Sequence, residues 1–155
     1  EPPYKGVQAQ FEKESVPVPY NAKLDKENSA EFVKFLQDSN YEKIKEQYEQ
    51  YKNNKDIYVL GYYINDKIVG TLTLNILTLP SGKEATIWAV AVKEEYRRLG
   101  IAMKLMNKAE ELVKEYDDIK RIWLFSGVHR QGAHELYRKL GYDDNMDKAF
   151  IKTIE

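Results

Sequence analysis

Val90-Ala91-Val92-Lys93-Glu94-Glu95-Tyr96-Arg97-Arg98-Leu99-Gly100-Ile101-Ala102-Met103 reads as the end of a buried strand, a polar turn, and an Arg-x-x-Gly-x-Ala loop opening into a long amphipathic helix. A helix start carries backbone N–H groups with no partner inside the helix, and the helix dipole favours negative charge there. Such a place holds phosphate groups. Gly100 has no Cβ and Ala102 only a methyl, so phosphate oxygens could approach the backbone closely. Arg97 and Arg98 could add charge. The same residues also suit an ordinary helix start with two solvated arginines. Other phosphate loops fit worse: there is no Gly-x-x-x-x-Gly-Lys-Ser/Thr, and no Gly-x-Gly-x-x-Gly after a strand.

Outward from this loop the pattern stays regular. Ile57 to Ile64, Ile68 to Leu77 and Ala85 to Val92 are rich in β-branched and aromatic residues, and the breaks between them, Asn65-Asp66-Lys67 and Leu79-Pro80-Ser81-Gly82-Lys83, are turns. They predict a three-strand meander. After Gly100, Ile101, Leu105, Ala109, Leu112 and Tyr116 recur at helical spacing, and Asp117-Asp118 ends the helix. Arg121 to Val128 predicts a further strand, Gln131 to Lys139 a short helix closed by Gly141, and Phe150 to Ile154 a last strand. A strand, a helix and a strand between residues 85 and 128 need a crossover, hence a parallel pair. Upstream, Asp25 is a plausible N-cap for a helix through Leu36. A second helix carries Tyr41, Ile44, Tyr48 and Tyr51. Val16-Pro17-Val18-Pro19-Tyr20 is extended, because proline pushes its predecessor out of the α region, and suits an edge strand. A short strand is expected near Val7 to Phe11. The class is α+β, in three layers: a mixed, mostly antiparallel twisted sheet with helices on both faces.

Composition bounds the function. The chain has 155 residues, enough for one domain with a real core. A net charge of −1 offers no global attraction to nucleic acid or anionic membrane. With no cysteine, disulfides, thiolate metal sites and a cysteine nucleophile are excluded. The absence of cysteine suits a reducing cytoplasm, the expected compartment; no apolar run approaches membrane length and none reads as a signal peptide. The chain begins Glu1-Pro2-Pro3 rather than with Met, as a trimmed or processed chain or one domain of a longer protein would.

Val128-His129-Arg130-Gln131-Gly132-Ala133-His134-Glu135-Leu136-Tyr137-Arg138-Lys139-Leu140-Gly141-Tyr142 follows the next strand. With the Arg-x-x-Gly-x-Ala loop before it, this resembles the GNAT family of acyl-CoA-dependent N-acetyltransferases, from about Ile57 to the C-terminus. The family pattern Asn-x-x-Ala-x-x-x-Tyr-x-x-x-Gly-Phe/Tyr is matched at Ala133, Tyr137, Gly141 and Tyr142; Arg130 stands where Asn is usual.

The resemblance implies one acyl-CoA N-acyltransferase domain over residues 1–155, with 1–15 a poorly defined extension. It implies acetyl-CoA as acyl donor, lying where the strands ending at Val92 and Val128 splay apart. Pantetheine amides would pair with the backbone of Val90, Ala91 and Val92. The pyrophosphate would take the N–H groups of Arg98, Leu99, Gly100, Ile101, Ala102 and Met103. Tyr137 is the candidate general acid for the departing thiolate, and the N–H of Val90 or its neighbour the oxyanion donor. Tyr137 also has the spacing of a core-facing aromatic.

The amine must attack neutral, yet only about one alkylammonium in a few thousand is neutral at pH 7. Many family members carry a Glu base on the central strand; here Trp88 and Ala89 stand there, and Glu84 is the nearest acid. The base is unassigned, and an acyl-CoA-binding sensor or regulatory module without efficient transfer is the alternative. His129 and His134 are expected in surface or loop roles. The expected acceptor is a small-molecule or peptide amine, and family habit implies a homodimer.

Overall fold

The computed structural model describes residues 18–19, 41–51, 53–65 and 67–154. The strand expected near Val7, the helix expected from Asp25 and the extension 1–15 lie outside the described residues. The elements are β1 (Val18–Pro19), α1 (Tyr41–Tyr51), β2 (Ile57–Ile64), β3 (Lys67–Leu79), β4 (Gly82–Val92), a single 3-10 turn (Glu94–Tyr96), α2 (Ile101–Val113), β5 (Ile122–Leu124) and α3 (Gln131–Lys139). They fall into two compact units, one ending at Leu124 and the other beginning at Phe125.

In the first unit the five strands form one sheet in the order β1-β2-β3-β4-β5. All neighbours are antiparallel except β4 and β5, which run parallel. The turns come where the chain chemistry puts them. Ile64 pairs with Lys67 across Asn65-Asp66, and Leu79 with Gly82 across Pro80-Ser81. Asn65 takes a φ of 50°, which asparagine tolerates, and Gly82 a φ of 131°, open to glycine. β1 is the outer strand, and its Pro19 lies opposite Leu60. A proline there breaks no inner ladder.

α2 makes the crossover between the parallel strands and covers one face of the sheet. A Cβ added at Gly70 of β3 would meet Ile101 Cγ2 at 2.9 Å and Leu105 Cδ1 at 3.2 Å. Gly70 and the residues alternating with it along β3, Leu72, Leu74 and Ile76, therefore face α2. Their register partners Leu60, Tyr62, Ala85 and Ile87 share that face and are buried. Ile101, Leu105, Met106, Ala109 and Val113 close the core from the helix side. The helix stops at Val113, so Tyr116 lies beyond it; its hydroxyl meets that of Tyr58 at 2.9 Å. Among the described residues no helix is long and apolar enough to cross a membrane.

Two expectations need correction. The strand expected over Arg121 to Val128 pairs only from Ile122 to Leu124. β4 carries an extra residue just past that stretch, and a bulge bends its strand and breaks the local ladder. The strand expected at Phe150 to Ile154 does not form: those residues are irregular, and Phe150, Ile151 and Ile154 are exposed. A β-rich composition makes no strand without a ladder partner, and none is described for this segment.

Candidate active site

The parallel ladder runs Ala85↔Ile122, Thr86↔Trp123, Ile87↔Leu124 and then stops. β4 continues to Val92, still paired with β3 on its other side. Between the pairs Thr73↔Trp88 and Thr71↔Ala91, β4 has one residue more than β3, so Ala89 and Val90 both stand opposite Leu72. Ala89 takes a φ of 54°. A left-handed alanine costs roughly 1–2 kcal/mol and persists only where its surroundings hold it. This is the point at which the two strands part company.

From Val92 the chain passes directly into the loop. Lys93 N–H donates to Val69 O at 2.8 Å, prolonging the link to β3. The 3-10 turn follows, closed by Tyr96 N–H to Lys93 O and Arg97 N–H to Glu94 O. Arg97 folds back so that its Nε–H donates to Val92 O at 3.0 Å. Its first task is to tie down the end of β4. Arg98 has a φ of 64° and Gly100 a φ of 81°. Left-handed residues in a turn are a recurring way of converging N–H groups into an anion-binding concavity.

Gly100 is the N-cap of α2 and supplies no side-chain cap. The first helical bond is Lys104 N–H to Gly100 O at 3.0 Å. The N–H groups of Ile101, Ala102 and Met103 therefore precede the helix's own bonding pattern. Among the described residues, a Cβ at Gly100 would meet nothing within 4 Å, so the space over the cap is open to them. Val90, Ala91, Val92, Arg97, Arg98, Leu99, Gly100, Ile101, Ala102 and Met103 thus form one continuous ledge on the first unit, from the strand parting to the helix start.

Glu84 does not serve this ledge. It lies at the start of β4, opposite Leu77. Its Oε2 accepts the indole N–H of Trp123 and lies 4.0 Å from Arg121 Nε. Six residues separate it from Val90, roughly 20 Å along a strand. Trp88 is 47% exposed, on the face away from α2, and its indole N–H donates to Thr86 Oγ1 at 2.9 Å.

The second segment forms its own motif in the second unit. His134 Nε2 lies 2.9 Å from Gly127 O, and Arg130 N–H donates to that same carbonyl at 3.0 Å. His134 therefore has a loop-pinning role, within the surface or loop roles expected of it. α3 ends in a Schellman motif: Gly141 has a φ of 91°, its N–H donates to Arg138 O, and Tyr142 N–H donates to Tyr137 O at 2.9 Å. Tyr137 occupies the position that normally makes the accompanying apolar contact. Burial pushes its phenol pKa up, while the Arg130 charge pulls the other way. A phenol held above its ordinary pKa of about 10 stays protonated at neutral pH, the state an acid needs and a base does not.

Sequence reasoning missed Gly70, although a glycine inside the strand pattern Ile68-Val69-Gly70-Thr71 is the signal for a close backbone approach. It also missed the left-handed Ala89 and Arg98, which carry no compositional signal.

The family model described as Acetyltransferase (GNAT) family matches residues 21–142. An N-alpha-acetyltransferase of Sulfurisphaera tokodaii is 34% identical over 71 residues, 45% of this chain and 42% of that protein. N-alpha-acetyltransferase 50 of Danio rerio is 27% identical over 94 residues, 60% of this chain and 56% of that one. The chain spans about half the length of the curated relatives it matches. In fold it is similar to a transcriptional regulator from Bacillus halodurans, with a TM-score of 0.73, 21% identity, and coverage of 90% of this chain and 99% of that one. With the matched segment running from just after β1 through the Schellman turn, the chain belongs to the GNAT acetyltransferase family.

Proposed function

We propose that this chain is an acetyl-CoA-dependent N-acetyltransferase, and that its acceptor is the α-amine of a peptide. The observation that carries the reading is the ledge. A parallel ladder with β5 ends at Ile87↔Leu124 while β4 runs on to Val92, directly before a loop whose Gly100 cap has, among the described residues, nothing within 4 Å. The pantetheine amides would take the backbone of Val90 to Val92, and the pyrophosphate the N–H groups from Arg98 to Met103. The acetyl group would then lie near the bulge at Ala89 and Val90.

The neutral amine attacks the thioester carbon. A carbon–nitrogen bond forms, the carbonyl oxygen takes the negative charge, and a backbone N–H at Val90 or its neighbour donates a hydrogen bond to it. The carbon–sulfur bond then breaks and Tyr137 gives the CoA thiolate its proton. The amine proton leaves through water, and the Tyr137 phenolate regains a proton from water. A peptide α-amine has a pKa near 7.7–8.0, so about one molecule in ten is neutral at pH 7, against about one in a few thousand for a lysine-like amine. With Glu84 tied to Trp123 and Trp88 at the strand parting, an acceptor that needs no strong base suits the site. The relatives' names, N-alpha-acetyltransferase, support the same acceptor.

The absence of a carboxylate at Trp88 and Ala89 also favours a second reading, an acyl-CoA-binding regulatory module. One measurement separates them. Acetyl-CoA should raise the melting temperature under both readings, by linkage to the native state. Release of CoA thiol with a panel of peptides, polyamines and small amines is expected only for a transferase. Binding without release from any acceptor would leave the regulatory module standing.

A further inference from the structure

The sheet face turned away from α2 carries a feature that transfer chemistry does not use. Glu84, Thr86 and Trp88 alternate along β4 on that face, and Trp123 of β5 stands beside Thr86. The two indoles are a diagonal pair across the parallel strands, one on each side of the point where those strands part. Both are pinned by their N–H groups, Trp88 to Thr86 Oγ1 and Trp123 to Glu84 Oε2. Pinning by the ring nitrogen fixes an indole while leaving its π-face available. The Trp123 face already carries a cation: Arg121 Cζ lies 4.4 Å from its ring centroid. The Arg121 Nε reaches Glu84 only at 4.0 Å, with both side chains partly exposed. An indole face beside a carboxylate is a receptor for a positive charge, and here Arg121 of the chain itself occupies it.

We infer that Trp123 and Glu84 form a docking point for a second positive charge on the acceptor, a lysine or arginine side chain near the reacting α-amine, held where the Arg121 guanidinium lies now. The inference rests on the transferase reading for where the reaction takes place. From the level of Trp123 to the bulge at Ala89 and Val90 is three to four strand steps, about 10–13 Å. An extended peptide covers that span with a basic side chain at its second, third or fourth residue. Trp88 walls the path between the two points.

The test uses pairs of peptides that differ only by lysine or norleucine at the second, third or fourth residue, with CoA thiol release as readout. A parallel arm compares diaminoalkanes with monoamines of equal length. At one peptide position lysine should raise kcat/KM by about three- to fivefold over norleucine, the size of a partly exposed cation–π contact. Glu84→Gln keeps an oxygen for the Trp123 N–H but removes the charge, and should bring that ratio close to one. Arg121→Ala removes the competing cation and should increase the ratio, whereas a purely structural arginine would leave it unchanged.

Ratios within twofold at every position, or a ratio that survives Glu84→Gln, would overturn the inference. A ratio seen with diaminoalkanes and not with peptides would keep the docking point and overturn the peptide as its source. If no acceptor is turned over, the transferase reading fails. The docking point is then decided by the Trp123 indole N–H resonance, which a lysine peptide should shift and its norleucine twin should not; no shift with either overturns it.

Discussion

The Tyr137 and Tyr142 rings meet edge to face, 6.3 Å between centroids and 65° between planes. They are joined a second time by Tyr142 N–H donating to Tyr137 O across the left-handed Gly141. This gives the Tyr-x-x-x-Gly-Tyr spacing a structural cause. A helix that closes in a Schellman motif wants an apolar contact between these two positions. The motif alone therefore does not make Tyr137 catalytic, and the hydroxyl has to be tested apart from the ring.

Tyr137→Phe keeps the ring pair and the turn and removes only the proton. Its melting temperature and acetyl-CoA affinity should stay near those of the parent, while turnover falls by about 10²–10⁴-fold, the range for a lost general acid. Tyr137→Ala should add a loss of stability. Steady-state kinetics on an accepted peptide decide it; a phenylalanine variant within threefold of the parent would leave the tyrosine as a helix-capping residue.

Gly100→Glu places a negative side chain over the α2 cap, where the pyrophosphate is proposed to lie. It should abolish the acetyl-CoA melting shift. A φ of 81° adds a backbone cost of about 1 kcal/mol for any residue with a Cβ, so the unliganded protein should melt slightly lower as well. Gly100→Ala carries the same backbone cost without the charge and should keep most of the shift. A full shift in the glutamate variant would show that the cofactor ledge is misplaced.

Gly70 sets the height of the first turn of α2 above the sheet. Gly70→Val would drive carbon into Ile101 and Leu105, which are fully buried. Overpacking of this kind costs about 1–3 kcal/mol. Because the affected turn is also the proposed phosphate ledge, acetyl-CoA affinity should weaken together with stability. Calorimetric titration of a folded Gly70→Ala variant gives the readout. Unchanged affinity beside a lowered melting temperature would separate the packing role from the ligand role.

Alkaline pH should weaken the fold through Tyr116. Its hydrogen bond with Tyr58 holds the phenol pKa well above the usual tyrosine value, with burial adding to the effect. Below pH 10 both the folded and the unfolded chain keep this proton, and the bond's stability is fully present. As pH rises from about 10 toward the raised pKa, the unfolded chain loses a proton that the folded chain retains, so stability falls. Melting curves from pH 8 to 11 should show the decline, and Tyr116→Phe should flatten it. At pH 8 that variant should lose about 0.5–1.5 kcal/mol, near the low end because the pair is only part-buried. An equally steep decline in the variant would place its origin elsewhere.

Much of the fold was legible because it rests on local chemistry. The meander followed from alternating β-branched residues between turn residues, the crossover from a helix between two strands, and the ledge from an Arg-x-x-Gly-x-Ala segment at a helix start. These signals survive without tertiary context, since each depends on the conformational preferences of a few neighbouring residues.

What only the tertiary structure decided depends on residues far apart in the chain. Gly70 matters because α2 descends onto it from a position thirty residues later. Glu84 was the nearest acid in the chain, yet Trp123 and Arg121 claim it, and those partners arrive only when β5 pairs alongside β4. The β4 bulge lies at Ala89, just past the end of the parallel ladder, and that residue takes a left-handed conformation its own identity disfavours. An alanine adopts it only when the ladders around it hold it there, so no reading of nearby residues could have found it.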